Sequence, residues 1–211
     1  MPHKNSKIMI TEEITKAVET LRSGGVILYP TDTVWGLGCD ATDPSAVARI
    51  FRIKERSDCK SLVLLADDMN MIARYVRAIP DMAIQLVEIN DKPMTIIYPG
   101  ALVGNAPEAD SLPPADPYKL AYNVVAEDRS VGIRIPLMKF CVELVRRFGR
   151  PVVSTSANIS GEPSPRNFKE ISQVIKDSAD YIVDQSLEKG STGRPSSIIK
   201  VELDSTVKII R

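Results

Sequence analysis

The sequence predicts one α/β domain, residues 1–211, in which helices pack against a mixed β-sheet. Short β-branched apolar segments alternate with segments whose apolar residues recur at helical spacing. The alternation is irregular, which favours a mixed sheet over a regular, doubly wound parallel one. Apolar residues make up 44% and charged residues 26% of the 211 residues, which are ordinary values for a globular domain of this length.

The N-terminal third begins with a predicted helix and strand. Thr11 is a suitable N-cap, and the acidic Glu12 and Glu13 after it would complement the helix dipole. Gly24–Gly25 would end the helix, and the apolar segment 26–29 reads as a buried strand. Apolar residues at helical spacing form the predicted inner face of this helix: Ile14, Ala17, Val18 and Leu21.

The middle of the chain continues the irregular alternation. Asp43–Pro44 is a cap and first-turn pair that predicts a second helix. Asp67 or Asp68 would cap a third helix, and a fourth is expected over residues 82–89. Buried strands are predicted at 61–66, 94–98 and 131–135. The proline-rich segment 99–130 has few periodic apolar positions, which indicates a long loop of the kind that forms lids or binding elements.

The C-terminal part adds two helices and several strands. A helix is predicted from about 137 to 148, with Gly149 as its stop. Asn167 and Glu170 have the spacing of a capping box, which predicts the start of another helix. The remaining predicted strands are the segment beginning at 152, then 181–184, 197–201 and 207–211.

Composition excludes several functional classes. The 27 basic and 27 acidic residues balance, so a whole-chain electrostatic grip on nucleic acid is not indicated. No apolar segment approaches the roughly 20 residues of a membrane helix, and the N-terminus lacks a signal-peptide core. The three cysteines are scattered and the single histidine is His3, so we expect a cytoplasmic protein with reduced thiols and without a protein-bound metal site.

Two predicted strands end in hydroxyl-bearing residues. Thr31 and Thr33 follow the first strand, and the strand at 152 runs into STSANISG, residues 154–161. Because no histidine lies near to activate a serine, these hydroxyls suit binding of phosphate or sugar oxygens better than nucleophilic attack. The alternative is that they satisfy local backbone groups in turns.

Basic residues supply two further candidate positions. A basic cluster lies near the expected end of a helix: Lys54, Arg56 and Lys60. These residues could bind phosphate. The alternative is that they complement the helix dipole on a solvated face. Arg134 sits in the apolar strand VGIRI, where burial requires a partner. An anionic ligand and a structural carboxylate would both provide one.

The ordered set of motifs resembles one family along essentially the whole chain. YPTDTVWGLGCD, Lys54-Glu55-Arg56, GIRIP, STSANISG, RPSSII and the final IIR are similar to the YrdC-like threonylcarbamoyl-AMP synthases. The resemblance implies a twisted α/β sheet around a positively charged concave cavity, without the additional C-terminal domain of longer members. Ser57 and Leu65 depart from the family pattern, since many members have a proline and a polar residue there.

The resemblance also implies an activity. The family joins L-threonine, bicarbonate and ATP into threonylcarbamoyl-AMP, releases pyrophosphate, and supplies a downstream transferase complex that modifies tRNA. Mg²⁺ would enter with ATP, held mainly by phosphates and water. The alternative is a non-catalytic paralog that binds tRNA or double-stranded RNA through a basic surface; the intact K-x-R and SAN motifs favour the enzyme.

Roles carry over to individual residues by the same resemblance. The threonine side would comprise Thr31, Thr33, Arg134 and Ser196. The nucleotide side would comprise Lys54, Arg56, Lys60, Ser130, Ser154, Ser156, Asn158, Ser164 and Arg211. Those expected to act most directly on the reaction are Lys54, Arg56, Ser156 and Asn158. The serine–asparagine segment should form one wall of a cavity, with Lys54 and Arg56 opposite it.

Overall fold

A computed structural model describes the backbone of residues 2–55, 62–106 and 112–211, and side chains within these ranges from residue 8 onward. The helices are α1 (Pro2–Arg22), α2 (Pro44–Ile53), α3 (Met69–Ala73), α4 (Asp81–Ile89), α5 (Lys139–Phe148) and α6 (Gln173–Ser178). The strands are β1 (Ile27–Tyr29), β2 (Gly36–Gly38), β3 (Val63–Leu65), β4 (Met94–Tyr98), β5 (Val131–Arg134), β6 (Val152–Ser156), β7 (Tyr181–Ile182), β8 (Ser197–Val201) and β9 (Val207–Ile209). Short 3-10 turns occur at Tyr122–Val124, Phe168–Glu170 and Gln185–Glu188.

The strands form one nine-stranded sheet in the order β7-β1-β2-β6-β3-β5-β4-β8-β9. Pairs β1–β7, β3–β5 and β4–β8 are parallel, whereas the other neighbours are antiparallel. The predicted mixed α/β class is therefore confirmed. Strand β6 lies near the centre, between β2 and β3, although it is far from both in sequence.

The first helix has the predicted inner face but a different start. Ile14, Ala17, Val18 and Leu21 are buried, and α1 packs against α5. The helix begins at Pro2, so Thr11 lies inside it, where its carbonyl accepts a hydrogen bond from Thr15 Oγ1 at 2.8 Å. The predicted N-cap at Thr11 is therefore wrong, because the helix continues for nine residues before it.

Helix caps elsewhere follow the sequence more closely. Asp43 caps α2 by accepting hydrogen bonds from the next turn, Asp68 caps α3, and Gly149 ends α5 in the left-handed conformation at φ 83°. Asn167 Nδ2 donates to Glu170 Oε1 at 3.0 Å, but around a 3-10 turn, and the backbone N–H groups that the two side chains accept from belong to Lys169 and Arg166. The α-helix begins later, at Gln173, capped by Ser172.

Strand β2 was not predicted, because Gly36-Leu37-Gly38 has poor strand propensity. Gly38 is required by close packing. A Cβ on Gly38 would lie 2.7 Å from Tyr29 Cε1 and 2.8 Å from the Val153 carbonyl oxygen. The absence of a side chain at Gly38 allows β1, β2 and β6 to approach one another.

The described parts of segment 99–130 are fastened to the body of the protein. Leu102 N donates to Tyr75 O at 2.8 Å, Tyr75 Oη donates to Pro117 O at 2.7 Å, and Ala121 N donates to Ala41 O at 2.9 Å. These bonds tie the segment to the ends of β2 and α3.

Candidate active site

The site begins where β6 changes from apolar to hydroxyl-bearing residues. Val152 and Val153 are fully buried, whereas the three residues after them are partly exposed. Gly36 pairs with Ser156 on one side of the strand, and Val63 pairs with Ser154 on the other. The hydroxyl-rich strand end therefore lies in the middle of the sheet, beside a residue without a side chain.

A cavity of about 220 Å³ opens at this point. It brings together residues predicted for both substrates: Thr33, Arg134, Ser154, Ser156, Ser164, Ser196 and Arg211. Residues that the sequence analysis did not select complete its lining: Val34, Gly36, Leu62, Val63, Thr155, Pro195 and Ile198. Among the described lining residues the charged side chains are arginines, and no carboxylate is present.

Arg134 is buried and ion-paired. Its Nη1 contacts the carboxylate of Asp32, which is also buried, and its Nη2 is 3.4 Å from Thr33 Oγ1. The structural carboxylate that the sequence left open is thus Asp32. Asp32 was not predicted as a site residue, although an acid three residues after a buried strand, between two candidate threonines, is an unusual placement. Binding of a substrate carboxylate by Arg134 stays a prediction.

The two threonines have different positions. Thr31 Oγ1 donates to Val34 O at 2.7 Å and lies 2.8 Å from Thr33 Oγ1. Because the Thr31 hydroxyl proton is used by Val34 O, the Thr33 hydroxyl donates to Thr31 and accepts from Arg134. Thr33 lines the cavity, whereas Thr31 is absent from its lining and accepts from Thr33 N at 3.1 Å.

Lys54 contacts the serine–asparagine segment directly. Its buried Nζ donates to Ser156 O and to Asn158 O, each at 2.7 Å, and its own carbonyl accepts from Ser160 N at 3.0 Å. The expectation that Lys54 faces this segment across a cavity is therefore wrong, because the C-terminal end of α2 docks onto the end of β6. Contact between Lys54 and phosphate stays a prediction.

Asn158 is turned toward its own loop. Its Nδ2 donates to Ile159 O at 2.9 Å and to Glu162 O at 2.8 Å. Its Oδ1 is buried, and within the described residues it has no hydrogen-bond partner. Asn158 is absent from the described cavity lining, and its contact with the nucleotide stays a prediction.

The remaining predicted residues fall into three groups. Ser196 and Arg211 are joined, since Arg211 Nη2 donates to Ser196 O at 3.1 Å, and Ser196 Oγ lies 2.8 Å from Thr95 Oγ1. Ser130 is buried outside the cavity, where its backbone N–H donates to Asp128 Oδ1 at 2.9 Å. Arg56, Lys60 and Ser57 lie outside the described residues.

Two further findings concern the described residues only. They contain no group of three or more His, Cys, Asp or Glu side chains that could hold a metal ion. No helix among them is both long enough and apolar enough to cross a bilayer.

Known proteins with similar sequences share this organisation. The profile of the Sua5/YciO/YrdC family, described as telomere recombination, matches residues 19–211. A threonylcarbamoyl-AMP synthase of Stenotrophomonas maltophilia is 36% identical over 187 residues, covering 88% of this chain and 91% of that protein.

Solved structures agree with the fold. Sua5 of P. abyssi complexed with L-threonine superposes with a TM-score of 0.71 at 26% identity, covering 89% of this chain and 50% of that one. E. coli YciO superposes with a TM-score of 0.72 at 25% identity, covering 94% of this chain and 87% of that one. This chain thus spans about half of the Sua5 chain and most of YciO. The chain belongs to the Sua5/YciO/YrdC family.

Proposed function

We propose that this protein is a threonylcarbamoyl-AMP synthase, a transferase that joins L-threonine, bicarbonate and ATP and releases pyrophosphate. The observation that carries the proposal is the convergence in one cavity of hydroxyls from β6, the arginine of β5 and residues from the C-terminal strands. The name of the Stenotrophomonas relative and the threonine complex of the P. abyssi protein support the same activity.

The cavity would divide between the two substrates. Arg134, with Thr33 and Ser196 nearby, would hold the threonine carboxylate, since a guanidinium binds a carboxylate through directed N–H groups. Ser154, Ser156, Ser164 and Arg211 would contact the nucleotide. Apolar Val34 and Ile198 would exclude water between these ends.

The reaction would proceed in two steps. The threonine amine attacks bicarbonate to give a carbamate and water, and a carbamate oxygen then attacks the α-phosphorus of ATP while its bond to the β-phosphate oxygen breaks. Of the described lining residues, none is Asp, Glu, His, Cys or Lys, so they offer no general base. The protein would therefore act by holding two anions in line and by stabilising the negative charge of the leaving pyrophosphate.

The described cavity of about 220 Å³ is small for two substrates. Its volume is below the roughly 300–1,000 Å³ usual for ligand pockets. Leu62, the first residue described after Lys60 and Arg56, lines the cavity wall. Contact of Arg56 and Lys60 with the triphosphate is carried by the sequence resemblance alone.

The donor set fits Mg²⁺ bound to the nucleotide. Hydroxyls and arginines line the described cavity, so phosphate oxygens and water would supply most ligands of the ion. When bound, Mg²⁺ would neutralise charge on the triphosphate. The product would pass to a tRNA-modifying transferase complex, and we place this activity in the cytoplasm.

Pyrophosphate release tests the proposal. Purified protein should form pyrophosphate from ATP only when threonine, bicarbonate and Mg²⁺ are all present. ATP turnover that does not need threonine would contradict the assignment. So would absence of pyrophosphate together with salt-sensitive binding of tRNA or double-stranded RNA, which would identify a non-catalytic RNA-binding paralog.

A further inference from the structure

Asp32 forms a buried ion pair with Arg134, the arginine of β5 that lines the site cavity. Its Oδ1 is paired with Arg134 Nη1, and its Oδ2 accepts from Leu137 N at 3.0 Å. Its backbone carbonyl accepts from Thr192 N at 3.0 Å. Both carboxylate oxygens and the backbone are therefore fixed, and Asp32 joins the end of β1 to the connection between β5 and α5.

Asp32 and Arg134 line different cavities. Arg134 lines the cavity of the proposed active site. Asp32 instead lines a neighbouring cavity of about 780 Å³, together with Leu137 and Phe140. Asp32 is therefore not among the residues that line the site cavity, although it pairs with the arginine that does.

This arrangement affects how Arg134 can recognise an anion. A buried guanidinium without a partner is costly, and Asp32 compensates its charge. Because the pair is neutral overall, attraction of a carboxylate depends on where the N–H groups point more than on net charge. The orientation of the guanidinium is set by Asp32 and, more weakly, by Thr33 Oγ1 at 3.4 Å.

We propose that Asp32 is a positioning residue that sets threonine affinity by fixing the Arg134 guanidinium toward the carboxylate of the amino-acid substrate. The inference rests on the proposed function. Asp32 takes part in neither bond formation nor proton transfer.

The test compares wild type with Asp32→Asn, which keeps the shape of the side chain and removes its charge. Threonine-dependent pyrophosphate release by the wild type is established first, because its absence would refute the proposed function and not the role of Asp32. In Asp32→Asn the KM for threonine should rise at least tenfold, while the KM for ATP stays within twofold. Threonine affinity from calorimetry should weaken in parallel.

Asp40→Asn is the matched control. Asp40 is equally buried and pairs with Arg150 at 3.1 Å, but neither residue lines the site cavity. This variant should lose thermal stability with an unchanged KM for threonine. A rise in that KM equal to the rise in Asp32→Asn would show that loss of any buried ion pair produces the effect, and would overturn the inference.

Two further variants separate positioning from charge and from folding. In an Arg134→Gln background, adding Asp32→Asn should not weaken threonine affinity further, because Asp32 acts through Arg134. Asp32→Glu keeps the charge but displaces it by one methylene, so it should also raise the KM for threonine. If Asp32→Asn does not fold, Asp32→Glu takes its place as the test variant. Additive effects in the double variant, wild-type affinity in Asp32→Glu, or tighter threonine binding in Asp32→Asn would overturn the proposal.

Discussion

The buried ammonium of Lys54 provides a prediction about stability in the absence of any ligand. Lys54 Nζ donates to Ser156 O and Asn158 O at 2.7 Å, and both the ammonium and the carbonyl groups lie at the end of β6. We consider Lys54→Met, because methionine retains most of the side-chain length while removing the charge and the donors.

The magnitude follows from these contacts. A hydrogen bond to a charged group contributes about 1.5–3 kcal/mol, and a buried carbonyl left unpaired costs about 1–3 kcal/mol. Ser156 O keeps a hydrogen bond from Asn158 N at 2.9 Å, and removal of the charge recovers its desolvation cost. We therefore expect Lys54→Met to lower the free energy of unfolding by about 2–4 kcal/mol, a large fraction of the 5–15 kcal/mol typical of a domain.

Trp35 offers a local probe for the measurement. It is the single tryptophan of the chain, it is buried, and its carbonyl accepts from Ala157 N at 2.9 Å beside the segment that Lys54 contacts. Urea unfolding of ligand-free protein would be followed by its fluorescence and by circular dichroism. Lys16→Met, at an exposed position of α1, is the control and should stay within about 0.5 kcal/mol of wild type.

A ligand-free Lys54→Met protein as stable as the control would refute the reasoning. In that case the Lys54 ammonium would not stabilise the ligand-free fold, and its role would be limited to contact with substrate phosphate.

Three other predictions use different parts of the structure. Gly38→Ala should lower the free energy of unfolding by about 1–3 kcal/mol, because its Cβ would lie 2.7 Å from Tyr29 Cε1. The control is Gly104→Ala, whose Cβ would have its nearest contact at 3.5 Å. Equal urea midpoints for the two variants would contradict the close-packing argument. Hydrogen bonds from Ser130 and Lys200 lower the pKa of Asp128 to about 2, so its stabilisation should be present above pH ~4 and lost toward pH ~2. Since the Asp128 side chain is 54% exposed, the free energies of unfolding of wild type and Asp128→Asn should differ by under ~1 kcal/mol, and the difference should shrink as the pH falls. A difference that grows as the pH falls would contradict this prediction. Arg56→Ala should weaken ATP binding by about 1.5–3 kcal/mol while the fold is retained. The control Arg52→Ala, at an exposed position of α2, should leave ATP affinity unchanged. Unchanged ATP affinity in Arg56→Ala would refute the phosphate clamp.

Local sequence predicted most elements of this fold because their determinants are local. Asp43–Pro44 at the start of α2 and Gly149 at the end of α5 act within one turn, so capping chemistry identifies them without tertiary information. The strand at β4 was predicted with its observed bounds, residues 94–98. Strand β2 was missed, because its pairing with β1 and β6 decides it and strand propensity does not. The start of α1 at Pro2 was also missed, since the capping pattern at Thr11 indicated a later start.

The site divides in the same way. The sequence by itself determined which chemistry was available: hydroxyls at the end of β6, basic residues near α2 and in β5, and motifs in the order typical of one family. Only the tertiary structure decided which groups meet. It paired Arg134 with Asp32 and docked Lys54 against the carbonyls of Ser156 and Asn158. The physical reason is that buried charges must find partners, and those partners lie about a hundred residues away in the chain.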